Sequence, residues 1–202
     1  SSVVEFRNLE SGEHIKMVKQ FTKIMLSYLN SHSPKYHFTE SQINSIVVAS
    51  SLHDLGKIAI SDSILLKPAK LTTDEYNEMK KHTLFGCQLL DHFKHDSSDF
   101  YTYCYDICRY HHERYDGNGY PDGLSGDEIP IWAQVVSIAD VFDALISKRV
   151  YKPAFSLEQT IDMIENGECG IFSPEIMDCF RHAKSDLYNL AKEEREHLIY
   201  NE

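Results

Sequence analysis

Ile131-Trp132-Ala133-Gln134-Val135-Val136-Ser137-Ile138-Ala139-Asp140-Val141-Phe142-Asp143-Ala144-Leu145-Ile146 is a strongly apolar run, and it reads as a central, buried helix. Helical spacing also dominates the flanking sequence. In 13–30, Ile15, Val18, Phe21, Met25 and Leu29 recur at three- and four-residue steps. Thr39 with Gln42 forms a capping box for a helix through Ile43, Ile46, Val47 and Leu52. A further helix is expected after Thr72-Thr73, with Tyr76, Met79, Gly86 and Leu90 on one face. Tyr103, Ile107 and Tyr110 mark another over 98–112. Ser156 with Gln159 caps the next, which Gly167 stops. Ser173-Pro174 opens the last, so that 173–202 form a C-terminal helical region. Residues 113–130 are polar and rich in glycine, with the turn signal Pro121-Asp122-Gly123, and read as a loop. No alternating strand pattern is present. The expected fold class is all-α, with one domain over 1–202. Residues 1–12 are expected to be a linker from an N-terminal regulatory domain, a sensor or receiver.

Composition narrows the function. The chain has 202 residues, 42% of them hydrophobic, enough for a core without disulfides. Its net charge of −11 argues against a duplex nucleic-acid binder, which presents a basic face. No apolar run approaches the length of a membrane span, and the first residues lack a basic region followed by an apolar one, so no signal peptide is expected. The five cysteines (87, 104, 108, 169 and 179) form no CxxC pair and read as reduced thiols, so a cytoplasmic protein is expected.

The 11 histidines carry the functional signal. His53-Asp54 ends an apolar helical stretch and is followed by Gly56-Lys57. His82 lies on the apolar face of its helix, and His111-His112 stands where a helix runs into the glycine-rich loop. Asp140 interrupts the apolar run 135–142, where a carboxylate is costly to bury unless it is paired or binds metal. His14 follows Glu10 at a four-residue step. A lone core histidine would account for His53 by itself. Several such groups at helix ends and buried faces point instead to a metal centre. Imidazole with carboxylate suits Mn, Fe or Zn, and the lack of a cysteine cluster argues against a closed structural zinc site.

Two motifs carry a resemblance. His53-Asp54-Leu55-Gly56-Lys57 and His111-His112-Glu113-Arg114-Tyr115-Asp116-Gly117-Asn118-Gly119-Tyr120-Pro121 resemble the signatures of the HD-GYP family, a branch of the HD-domain metal-dependent phosphohydrolases. Lys67-Pro68, the Met79–His82 stretch, and Ile138–Leu145 with Arg149, Tyr151 and Lys152 are similar to further parts of that family. The sequence departs from the family at Tyr115, where Trp is common, and at Ser173, where Asp commonly precedes Pro. The resemblance implies an HD-domain-like helical bundle with the glycine-rich loop near a two- or three-metal centre. It implies hydrolysis of cyclic di-GMP to the linear dinucleotide pGpG and, in some members of the family, on to GMP. Its implied metal ligands are His53, Asp54, His82, His111, His112 and Asp140. Glu10 and His14 would serve a third metal, with Glu13 as the alternative to Glu10.

Within that reading the expected ions are Fe or Mn, with Zn, Mg or Ni as alternatives. Asp54 is expected to bridge two ions, because a carboxylate offers two oxygens and an imidazole one lone pair. Lys57 is expected to stabilise developing charge, protonate the leaving ribose oxygen and contact substrate. Arg149 and Lys152 resemble a phosphate-binding pair, and Tyr120 is a further substrate-binding candidate. Other readings are a catalytically silent receptor or partner-binding module, and a hydrolase of cyclic GMP–AMP or another nucleotide phosphodiester. A homodimer through the terminal helices is a further expectation.

Overall fold

The apolar run at 131–146 is helical along its whole length, with most of its side chains buried. The structure, a computed structural model, describes residues 12–93, 98–147 and 154–200, with side chains as far as Glu194. Glu10, Lys148, Arg149, Tyr151 and Lys152 therefore lie outside the described residues. The α-helices in chain order are α1 (Gly12–His32), α2 (Glu40–Ser50), α3 (Asp62–Leu65), α4 (Thr73–Lys80), α5 (His82–Leu90), α6 (Asp99–Tyr110), α7 (Ile131–Ile146), α8 (Leu157–Glu165) and α9 (Pro174–Tyr200). A short 3₁₀ helix, Leu55–Ala59, lies between α2 and α3. Among the described residues there is no strand, only an isolated bridge between Asp116 and Ser125, so the fold is all-α as expected. No helix among them is long and apolar enough to cross a membrane.

The helix starts follow the sequence signals. Capping boxes form at Thr39/Gln42, Thr72/Glu75 and Ser156/Gln159, each satisfying amides that a helix N-terminus leaves without partners. The Ser173 hydroxyl accepts from the Ile176 amide at the start of α9. Gly167 ends α8 at φ +73°, where a β-carbon would be strained.

α7 is the axis of the bundle and packs against α1, α6, α8 and α9. Phe142 meets Phe21 of α1 edge-to-face at 4.9 Å and Phe180 of α9 at 6.0 Å. The helix expected after Thr72-Thr73 is broken at Lys81 into α4 and α5. The Lys81 amide bonds to the Glu78 carbonyl three residues back, a tighter turn than the α-helical one. Gly86 and Leu90 are buried, whereas Tyr76, placed by its spacing on the same face, is 49% exposed.

Trp132 on α7 donates through Nε1 to Asp106 Oδ2 on α6 at 3.1 Å. Burial outweighs this bond and lifts the Asp106 carboxyl pKa to about 6. A carboxyl raised above its unfolded value favours folding in its protonated form, and that contribution disappears as pH rises through 6. Asp106→Asn is expected to be more stable than the wild type above pH 7, by about 1 kcal/mol after allowance for partial exposure. The two proteins should converge below pH 4. Chemical denaturation at pH 4.5 and pH 8 checks this, and an equal difference at both values would refute it.

Candidate metal centre

Three contacts between main-chain elements set the geometry. The turn carrying His53 and Asp54 follows α2, and the 3₁₀ helix after it lies directly against α5. Glycine makes that approach feasible. A β-carbon on Gly56 would stand 1.8 Å from the His82 carbonyl oxygen and 2.3 Å from the Gly86 amide nitrogen. Cys108 of α6 adds a third layer, with its thiol donating to the Leu52 carbonyl at 2.9 Å. His53, Asp54, His82 and His111, from three separate segments, are thereby buried together.

The imidazoles are oriented by their own backbones. His53 Nδ1 lies 2.8 Å from the Ser50 carbonyl, His82 Nδ1 2.8 Å from that of Met79, and His111 Nδ1 2.9 Å from that of Ile107. A carbonyl only accepts, so Nδ1 carries the proton in each ring and the bare Nε2 lone pairs turn inward. The Asp54 carboxylate meets them with different oxygens. Oδ1 lies 3.2 Å from His82 Nε2 and 3.8 Å from His111 Nε2, while Oδ2 lies 3.3 Å from His53 Nε2. Oδ2 also accepts from Lys57 Nζ at 2.6 Å.

Two ligand-type groups result, one of Asp54, His82, His111 and His112, the other of His14, His53 and Asp54. Asp140 of α7 joins the second, with Oδ1 3.6 Å from His14 Nε2 and 3.9 Å from His53 Nε2. Glu13 belongs to neither group.

A bare imidazole nitrogen and a carboxylate oxygen are both acceptors, and they repel at 3.2 Å unless a proton or a cation lies between them. The side-chain atoms Asp54 Oδ1, His82 Nε2 and His111 Nε2 are buried without a hydrogen bond, although such atoms are normally satisfied. A proton is disfavoured. Burial and then the neighbouring His53 hold His111 down to about 3, and burial lowers His82 and His112 as well. Burial opposes ionisation of Asp54, but its neighbours, the Lys57 ammonium first among them, more than offset it and hold the carboxyl well below its usual range. Neutral imidazoles and an ionised carboxylate are the protonation states that ligate metal, and the residues fit one.

Sequence reasoning missed two supporting residues. Asp143 is buried one helical turn after Asp140, and its Oδ2 lies 2.6 Å from His14 Nδ1. A carboxylate behind an imidazole fixes the tautomer and raises basicity at the inward nitrogen. Burial opposes protonation of His14, and the Asp143 hydrogen bond together with the charges of Asp140 and Asp143 outweighs it, so its pKa is raised. The signal available was a second acid in the apolar run. Glu113 is the other. Its buried carboxylate accepts from the amides of Asp122, Gly123 and Leu124 at 2.7, 3.1 and 3.1 Å. Gly119 passes so close that a β-carbon would meet Glu113 Cα at 2.4 Å. The Tyr120 ring stacks on His112 at 4.7 Å. Glu113→Ala leaves three amides without their acceptor. It is expected to cost about 2 kcal/mol and to speed hydrogen exchange of residues 122–124 at least about tenfold. Exchange read by mass spectrometry checks this, and unchanged protection there would show that the loop stands without its anchor.

The chain resembles known proteins over most of its length. A profile of the HD domain family matches residues 9–175. A cyclic di-GMP phosphodiesterase of Vibrio cholerae is 39% identical over 184 residues, covering 89% of this chain and 37% of that protein. The cyclic di-GMP phosphodiesterase response regulator RpfG of Xanthomonas campestris is 44% identical, covering 74% of this chain and 39% of its own length. A 3′3′-cGAMP-specific phosphodiesterase 2 of Vibrio cholerae is 38% identical, covering 88% of this chain and 32% of its own length. The chain thus spans well under half of these curated relatives. Among solved structures, the HDG"Y"P protein Bd1817 of Bdellovibrio bacteriovorus matches with a TM-score of 0.62 at 20% identity, covering 89% of this chain and 51% of that one, a likeness of fold. On the matched profile, the arrangement of helices and the His53-Asp54 pair at the centre of the cluster, this chain belongs to the HD domain family.

Proposed function

We propose that the chain is a metal-dependent phosphodiesterase that hydrolyses cyclic di-GMP to linear pGpG. The observation that carries this reading is the division of labour at Asp54, whose two oxygens face separate imidazole groups. A single carboxylate placed in that way suits two divalent ions, Fe or Mn by the donor set. The proposed ligands are His53, Asp54, His82, His111, His112 and Asp140, with His14 serving a further ion together with Glu10. Bound ions would supply Lewis acidity, making water nucleophilic near neutral pH and polarising a phosphoryl oxygen.

The protein's own groups do the rest. The backbone-held imidazoles keep their lone pairs inward and lose no freedom when the site is filled. Asp143 holds His14 in one tautomer. Lys57, held on Asp54, places an ammonium beside the scissile phosphate, where it stabilises charge and protonates the leaving ribose oxygen. Arg149 and Lys152 would bind phosphate oxygens, a role that rests on the resemblance of their segment. The chain's net charge of −11 is no obstacle, since divalent ions reverse the local field.

The likeness to a cGAMP-specific relative favours a second substrate reading, hydrolysis of 3′3′-cGAMP. Metal-analysed protein incubated with either dinucleotide, with products resolved by mass, tests both. Linear product that vanishes on chelation and returns with Mn²⁺ or Fe²⁺ is the expected result. Tight binding without turnover by loaded protein would make the domain a receptor.

A further inference from the structure

One aromatic and one cation adjoin the metal centre without a part in it. Tyr76 of α4 is 49% exposed. Lys80, one turn later, holds Nζ 5.1 Å from the Tyr76 ring centroid and 5.7 Å from that of Tyr120. Tyr120 in turn stacks on His112, a member of the ligand group. Imidazole, phenol, ammonium and phenol thus run outward from the cluster in contact. Among the described residues, no carboxylate pairs with Lys80, although the chain carries 31 acidic residues against 20 basic ones. A lysine held over two rings is weakly solvated on those sides and keeps its donors for a ligand.

We propose that Tyr76 and Lys80 form a base-binding subsite that selects guanine in the cyclic dinucleotide. This inference rests on the phosphodiesterase reading. The exposed Tyr76 face offers a stacking surface for a purine, which every base accepts through its π-face. Lys80 adds the discrimination. Guanine presents O6 and N7 as adjacent acceptors, to which a lysine ammonium donates, whereas adenine presents an amino donor in place of O6. Tyr76 stands exposed on α4, whereas His82, the first residue of α5, is buried.

Equilibrium binding of non-hydrolysable phosphorothioate analogues of cyclic di-GMP and cyclic di-AMP to the metal-loaded chain tests the subsite. Tyr76→Ala is expected to weaken both about tenfold, and Tyr76→Phe to retain wild-type affinity. Lys80→Ala is expected to weaken the guanine analogue about tenfold and the adenine analogue less than twofold. Affinities unchanged by Tyr76→Ala overturn the subsite, and equal losses in Lys80→Ala overturn the guanine selection. Wild-type protein that binds the guanine analogue yet leaves cyclic di-GMP intact overturns the proposed reaction and keeps the subsite. Hydrolysis of cyclic di-GMP with affinities indifferent to Tyr76 does the reverse. Wild-type protein that binds neither analogue overturns the subsite.

Discussion

Asp54→Ala is expected to remove turnover of cyclic di-GMP by about 10³-fold or more and to lower bound metal by at least one ion per chain. Loss of a partner behind a metal ligand costs about 10–100-fold. Asp54 stands closer than that, with one oxygen toward His82 and His111 and the other toward His53. Truncation removes a contact from both groups at once and leaves the Lys57 ammonium without its partner at 2.6 Å. Asp143→Asn is the informative companion, because Asp143 meets His14 from behind. It should fall in the 10–100-fold range and keep most of the metal. Metal analysis of purified variants beside steady-state kinetics separates the two cases. Full activity in Asp54→Ala would remove the bridging role and the two-ion reading that depends on it.

The second large effect is expected from a residue with no chemistry of its own. Gly56→Ala adds one methyl group, but that methyl would fall on main-chain atoms of α5 rather than on a side chain that could swing away. The 3₁₀ helix would have to retreat from α5 and carry Asp54 away from His82. Overpacking of this kind costs about 3 kcal/mol. For a domain of this size that lowers Tm by roughly 6–12 °C. Gly86→Ala is a contrast, since the nearest atom there is the Cys108 thiol at 2.8 Å, which can shift. Calorimetry of both variants checks the ordering, and the Gly56 variant should also lose metal while still folded. A Gly56→Ala melt within about 2 °C of the wild type would mean that the close approach is not required.

The helices were legible because each carries its own signals. The capping boxes at Thr39/Gln42 and Ser156/Gln159 and the apolar period of α1 are local, and burial of Ile15, Val18, Phe21, Met25 and Leu29 follows from spacing alone. The break at Lys81 was not legible. Its flanking residues keep helical propensity, and α5 beyond it is held by packing against the 3₁₀ helix and α6. Tyr76 was misplaced for that reason. In the site, residue types and motif spacing were enough to nominate His53, Asp54, His82, His111, His112 and Asp140. Asp143 and Glu113 were hidden, because a supporting carboxylate is defined by the donor it faces, and both donors come from elsewhere in the chain.

Composition and periodicity by themselves determined an all-α chain with buried acids and imidazoles, since these follow from which residues can share a helix face. Only the tertiary structure decided which lone pairs meet. The Nε2 atoms turn inward because backbone carbonyls one helical turn back take the Nδ1 protons. The two groups share Asp54 because Gly56 lets two pieces of main chain touch where any side chain would hold them apart. Distances between segments far apart in sequence depend on packing, and packing is a property of the whole fold.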